Sequence, residues 1–276
     1  MAALTAARFG LHNQEHAPFD DKSGTGYLAI SHEQNLNAWF AEDGITVRPT
    51  VQAEERVQAW QVTFRLKAYG YGSELITPPP VVSRHVNGTR IEYGRRSEVG
   101  SHKSEPQLTE WYDNRPEGIE QGFTLNERPK RTRAESADEP LRVLLAVSGD
   151  LHAELKDGGW VIELVNKTGK GTLSYGQLTA KDADGKQIVA RMEASKDGRE
   201  IALLMDDEAA RYPIVIDPVV ASLEMKLASS TSELDARFGT ALAIDGDRAV
   251  VGAWRDDFSS LADAGAIYVF TRSGTT

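Results

Sequence analysis

Strict alternation of apolar and polar residues limits most sharply what this chain can fold into. In "WQVTFRLKA", Val62, Phe64 and Leu66 share one face, while Thr63, Arg65 and Lys67 share the other. The runs "LRVLLAVSG" (Leu141 to Gly149), "GWVIELV" (Gly159 to Val165), "KQIVARMEA" (Lys186 to Ala194) and "REIALLM" (Arg199 to Met205) repeat the theme. A period of two belongs to the β-strand, whose successive side chains leave opposite sides of the pleat. Turn signals separate the runs: Asn87-Gly88, Asp157-Gly158-Gly159, Asp184-Gly185 and Asp197-Gly198. Short strands with Gly-containing turns between them predict an all-β sandwich or barrel. No stretch offers a capped, amphipathic helix.

Composition narrows the functional classes. The 276 residues are 40% apolar, enough for one large domain or two ordinary ones. A net charge of −10 opposes general nucleic-acid binding, which needs Lys and Arg against phosphates. The absence of cysteine excludes disulfides, thiolate zinc sites, Fe–S clusters and thiol catalysis. No apolar run approaches the roughly 18 residues of a spanning helix, so membrane insertion is not expected. The opening "MAALTAARFGLHNQEHAPF" lacks the charged n-region and continuous apolar core of a secretory signal.

Two stretches read as connectors. "TPPPVV" (Thr77 to Val82) cannot lie within a central strand, because three prolines supply no backbone donors. "NERPKRTRAESADEP" (Asn126 to Pro140) is basic, then acidic, and reads as a solvated loop whose charges nearly cancel. The organisation expected is a mobile N-terminal segment over 1–25, a β-sandwich over 26–218, and a distinct unit over 219–276. The sandwich is one body, or two halves with a break near 126–140.

The last unit contains Phe238-Gly239, then "ALAIDGDRAVVGA" (Ala241 to Ala253), then "GAIYVF" (Gly265 to Phe270), preceded by "MKLASS". In that order and spacing these blocks resemble the FG-GAP repeat of integrin alpha subunits and of many bacterial surface and secreted proteins. Trp254 departs from the motif, which has proline there. The resemblance implies one incomplete blade of a β-propeller, about three of its four strands. A blade depends on neighbours to cover its faces, so further FG-GAP blades beyond Thr276 are the expected partners. "EWYDNRPEGIEQGFTL" (Glu110 to Leu125), "LSYGQLTAKDADGKQIVAR" (Leu173 to Arg191) and "YPIVIDP" (Tyr212 to Pro218) are similar to an uncharacterised all-β domain. That domain precedes such repeats in large bacterial extracellular proteins.

Calcium is the one cofactor these features suggest, since integrin-type blades carry Asp-rich loops. A calcium loop needs six or more oxygen ligands, many from acids at alternating positions. Asp245 and Asp247 alternate, but Ala249 follows, so the pair reads as a tight turn, with calcium as the alternative. Asp256 and Asp257 after Trp254 read as a solvated loop, or as ligands completed by a neighbouring blade.

No His-Glu-x-x-His or Gly-x-Ser-x-Gly motif is present. "NKTGKGT" (Asn166 to Thr172) places Gly171 where a phosphate loop needs a hydroxyl, and reads as a β-turn. Trp111-Tyr112 forms either a sugar-stacking pair or core packing, and Trp254 sits where blade loops meet ligands. The expected function is non-enzymatic: adhesion to, or recognition of, a protein or glycan outside the cell or at its surface. Two rivals are a secreted carbohydrate-active enzyme, or its accessory domain, with an acidic pair in the sandwich, and a structural spacer or cap before a propeller.

Overall fold

The alternating runs are strands. The computed structural model describes residues 9–17, 24–42, 44–50, 60–72, 75–96, 106–131, 139–156, 160–169, 171–222, 236–245, 248–257 and 261–271. Its nineteen elements are all β-strands, paired antiparallel in three sheets. The chain divides into two units, Met1–Leu223 and Glu224–Thr276.

In the first unit, β1 (His12–Gln14), β2 (Gly26–Ser31), β3 (Leu36–Phe40), β4 (Ile45–Pro49) and β5 (Val62–Gly70) form a meander. The chain then changes sheets. β6 (Val81–Asn87), β7 (Arg90–Arg95), β8 (Leu108–Arg115) and β9 (Gly118–Leu125) form a second meander. β10 (Leu141–Gly149) returns to the first sheet beside β5. β11 (His152–Lys156), β12 (Val161–Val165) and β13 (Gly171–Lys181) belong to the second sheet, and β14 (Ala190–Ala194) and β15 (Glu200–Met205) to the first. β16 (Ile214–Ser222) closes the pattern by slotting between β13 and β9. The sheet orders are β1-β2-β3-β4-β5-β10-β15-β14 and β11-β12-β13-β16-β9-β8-β7-β6. Segments on both sides of 126–140 therefore contribute to each sheet.

The inner faces of these sheets share one core. Val62, Phe64 and Leu66 point inward from β5, and Leu141, Val143, Leu145 and Val147 from β10. Aromatic rings meet across the gap: Phe40 lies 5.3 Å from Tyr112, and Phe64 lies 5.8 Å from Tyr175. Burying each such side chain contributes about 1.5–3 kcal/mol. Thr63, polar by pattern, is buried on the other face, where its hydroxyl bonds Thr46 at 2.8 Å. The three prolines run as an irregular lead-in to β6, which is an edge strand.

Two expectations change. Part of the segment read as mobile is held in place: β1 pairs with β2, Phe9 is buried, and the Phe9 carbonyl accepts from Asn114 Nδ2 at 3.0 Å. The basic run is docked rather than solvated at two of its residues. Arg128 Nη1 lies 3.2 Å from Asp207 Oδ2, and Nη2 donates to the carbonyls of Asp207, Glu208 and Ala210. The Arg131 guanidinium stands 3.7 Å above the Tyr71 ring and 3.6 Å from Asp207 Oδ1. Tyr71 and Tyr212 donate hydroxyl hydrogen bonds to Asp207 Oδ2, at 2.7 and 2.6 Å. A carboxylate taken out of water needs countercharges and donors, and these four side chains supply them. Burial, then the bond to Asp207, pushes the Tyr71 hydroxyl up to about 12. The later part of the run, 132–138, lies outside the described residues.

In the second unit, β17 (Phe238–Asp245), β18 (Arg248–Ala253) and β19 (Ala266–Thr271) form a three-stranded meander. "MKLASS" lies outside the described residues.

Asp207→Ala strips the countercharge from two arginines and the acceptor from two tyrosines. It is expected to cost about 3–5 kcal/mol in urea unfolding, while Lys130→Ala, at an exposed position of the same run, stays within about 0.5 kcal/mol.

Candidate functional site

The three stretches that distinguish the first unit come together in space. Glu110 to Leu125 supplies β8 and β9, Leu173 onward supplies β13, and the stretch ending at Pro218 opens β16. These are consecutive strands of the second sheet, in the order β13-β16-β9-β8.

Their inward face carries a chain of buried polar groups. Arg95 Nη2 donates to Glu110 Oε2 at 3.0 Å, and Tyr112 Oη donates to Glu110 Oε1 at 2.6 Å. Gln121 Nε2 donates to Tyr112 Oη at 3.0 Å, and Tyr175 Oη donates to Gln121 Oε1 at 2.8 Å. All five residues are buried. Burial, reinforced by the Glu110 charge, pushes the Tyr112 and Tyr175 hydroxyls well above their ordinary range. Held as donors, the two tyrosines are positioned for structure rather than proton transfer at neutral pH.

Trp111 and Tyr112, adjacent on β8, face opposite ways. Tyr112 is 1% exposed inside the core, against Phe40 and Tyr93. Trp111 lies on the outer face but is only 3% exposed. Its ring packs over Gly122, where an added Cβ would stand 2.0 Å from Cζ2, and the Arg90 guanidinium covers it at 3.9 Å. Neither ring offers a stacking face, so the pair belongs to packing and not to a sugar platform.

The same outer face holds a carboxyl pair that no local pattern joins. Glu120 on β9 pairs with Val219, which places Asp217 of β16 one diagonal step away, and each carboxyl perturbs the other. Arg115 Nη1 donates to Glu120 Oε1 at 2.9 Å, and Arg115 Nη2 stands 2.7 Å from Glu120 Oε2 and 3.1 Å from Asp113 Oδ2. Burial, then the Asp217 charge, pushes Glu120 up to about 7, with Arg115 opposing. Elsewhere, a recess of about 340 Å³ beside β6 is lined by Glu42, Val81, Val82, Ser83 and Arg84. The Asn166 stretch forms a turn, with Thr168 N donating to Asn166 Oδ1 at 2.9 Å and Gly169 at φ 77°.

In the second unit, the ring of Phe238 meets Tyr268 at 5.3 Å and Phe270 at 6.2 Å, edge to face. The next residue, Gly239, takes φ 91° where the register to β18 shifts, a conformation that side chains resist. A Cβ at Gly252 would stand 3.2 Å from the Ala241 Cβ. These contacts give the motif residues their physical reasons. Residues 222–270 match the family model of the FG-GAP repeat. No curated protein and no solved structure matches the chain.

The FG-GAP sheet leaves large apolar side chains bare on both faces. Leu242 and Ile244 are exposed on one, and Ile267 and Val269 on the other. The loop from β18 to β19 presents Trp254, 61% exposed, with Leu261 exposed nearby in the chain. Of the candidate metal ligands, Asp245 is exposed at the end of β17 and Asp247 lies outside the described residues. Asp256 is buried and accepts a hydrogen bond from the Tyr268 hydroxyl. Asp257 Oδ1 accepts from Asp263 N at 2.7 Å, and Asp263 in turn accepts from Arg255 Nε at 2.9 Å. Asp256 and Asp257 thus shape the loop rather than stand solvated. Among the described residues, no group of three or more His, Asp or Glu is placed to hold a metal ion.

The two tryptophans are expected to separate cleanly in chemical denaturation followed by circular dichroism. Trp111→Ala empties a packed site and costs about 3–5 kcal/mol, whereas Trp254→Ala stays within about 0.5 kcal/mol.

Proposed function

We propose that this chain is a non-enzymatic recognition or adhesion module of an extracellular or cell-surface protein, of the bacterial type its repeat resembles. The observation that carries this reading is the FG-GAP repeat over 222–270. Such repeats are typical of extracellular proteins, and among the described residues no helix is long and apolar enough to cross a membrane. The ligand is a protein or a glycan, met by the β18–β19 loop through Trp254. A broad, amphipathic ring held at the surface at little entropic cost is the residue type that dominates binding energy at interfaces. The bare apolar faces of the FG-GAP sheet are covered by further blades, because exposed apolar area of this extent seeks burial. The sandwich acts as the rigid base. Its buried tyrosines are committed to core hydrogen bonds, and its aromatic pair is packed away.

The test uses the chain on a glycan array and on immobilised extracellular-matrix proteins. A specific ligand should appear, and Trp254→Ala should weaken it at least tenfold without changing the melting temperature. Hydrolysis of a polysaccharide by the chain, abolished by Glu120→Gln, would instead place it among carbohydrate-active enzymes. Proper folding with no ligand in either panel favours the spacer role.

A further inference from the structure

The carboxyl pair on the outer face of the second sheet sits where the backbone ladder is broken. β16 pairs with β9 through Ile216↔Phe123 and resumes at Val219↔Glu120, so Asp217 and Pro218 have no partners on that side. On the other side, the pairing to β13 jumps from Thr179↔Asp217 to Gly176↔Val219, around Gln177 at φ 53°. Pro218 lacks an N–H and stands unpaired on both flanks. At this gap Glu120 and Asp217 stand on the same outer face, one diagonal step apart across the two strands.

Two ionised carboxylates cannot hydrogen-bond, since each only accepts. They can when one carries a proton. Asp217 Oδ1 is buried and has no donor among the described residues, as expected if its missing partner is that proton. The surrounding charges do not remove the need. On β8, Arg115 is engaged by Glu120 and Asp113. On β7, Arg90 is engaged by Glu92 at 2.7 Å and by the Trp111 face. On β13, Lys181 pairs with Val215, two residues from Asp217. Arg90, Arg115 and Lys181 all favour ionisation of Asp217, yet burial outweighs them and its carboxyl remains raised.

We propose that Glu120 and Asp217 share one proton and form a pH-responsive latch between β9 and β16, closed in mildly acidic medium and loosened above neutrality. A carboxyl whose folded value lies above its unfolded one binds more protons when folded. The latch therefore stabilises fully below about pH 4.5 and is lost as pH rises through about 7. Loosening occurs where two strand ladders are already interrupted, so the released charge pair repels at a gap held only by the pairs on either side of it, Ile216↔Phe123 and Val219↔Glu120.

The experiment compares the wild-type chain with Glu120→Gln and Asp217→Asn by calorimetry and by hydrogen exchange, corrected for intrinsic rate. From pH 5.5 to 8.0 the wild-type melting temperature should fall by roughly 3–8 °C, and exchange should quicken in 119–123 and 214–220. Both variants should lose at least half of that dependence. Carbon-13 NMR of the wild-type side-chain carboxyls provides a readout independent of variant folding: one group should titrate near neutral pH. Equal pH dependence in all three chains, or no carboxyl titrating near neutrality, overturns the latch. So does calcium chloride restoring the pH 8 melting temperature of the wild type alone, which would make the pair a cation site.

Discussion

The hydrogen-bond chain from Arg95 through Glu110, Tyr112 and Gln121 to Tyr175 fixes how the second sheet is assembled. Its members come from β7, β8, β9 and β13, and they lie in the core that both sheets share. Each group is buried, so each needs a particular partner, and a one-residue slip of any strand would turn that partner to the other face. Apolar packing alone also opposes a one-residue slip, but it discriminates less sharply against a two-residue shift, which keeps the same face inward. Phe40 and Phe64 then dock the first sheet onto Tyr112 and Tyr175, two members of the same chain.

Much of the fold was legible because strand periodicity is local. Alternation located β5, β10 and β15, and the turns at Asn87-Gly88, Asp184-Gly185 and Asp197-Gly198 hold glycines at positive φ. The order of strands was not legible. It depends on the chain switching sheets between β5 and β6 and again after β9, β10, β13 and β15, and no local pattern says which sheet a strand will join. The basic run illustrates the same limit. Arg128 and Arg131 look solvated until Asp207, some eighty residues later, is found buried between two tyrosines.

The candidate sites divide in the same way. The FG-GAP blocks were readable because their glycines and aromatic rings act on one another within a few dozen residues, as Phe238 does on Tyr268 and Phe270. Trp254 keeps the exposed position expected of a loop residue, whereas Trp111 and Tyr112 do not. Nothing near Trp111 in sequence announces that Gly122 opens a space for its ring, or that Arg90 will cover it. The Glu120–Asp217 pair was equally hidden. Ninety-seven residues separate the two acids in the chain, and only the placement of β16 beside β9 joins them.

The contact between Trp111 and Gly122 ties two positions into one choice. Directly opposed on β8 and β9, they share a single volume that the indole already fills. A side chain at 122 is admissible only where 111 has shrunk, and a smaller residue at 111 leaves a hollow unless 122 has grown. Among descendants of this fold the two sites should therefore drift as a pair. A designer wishing to open the outer face of the second sheet would have to edit both in the same step.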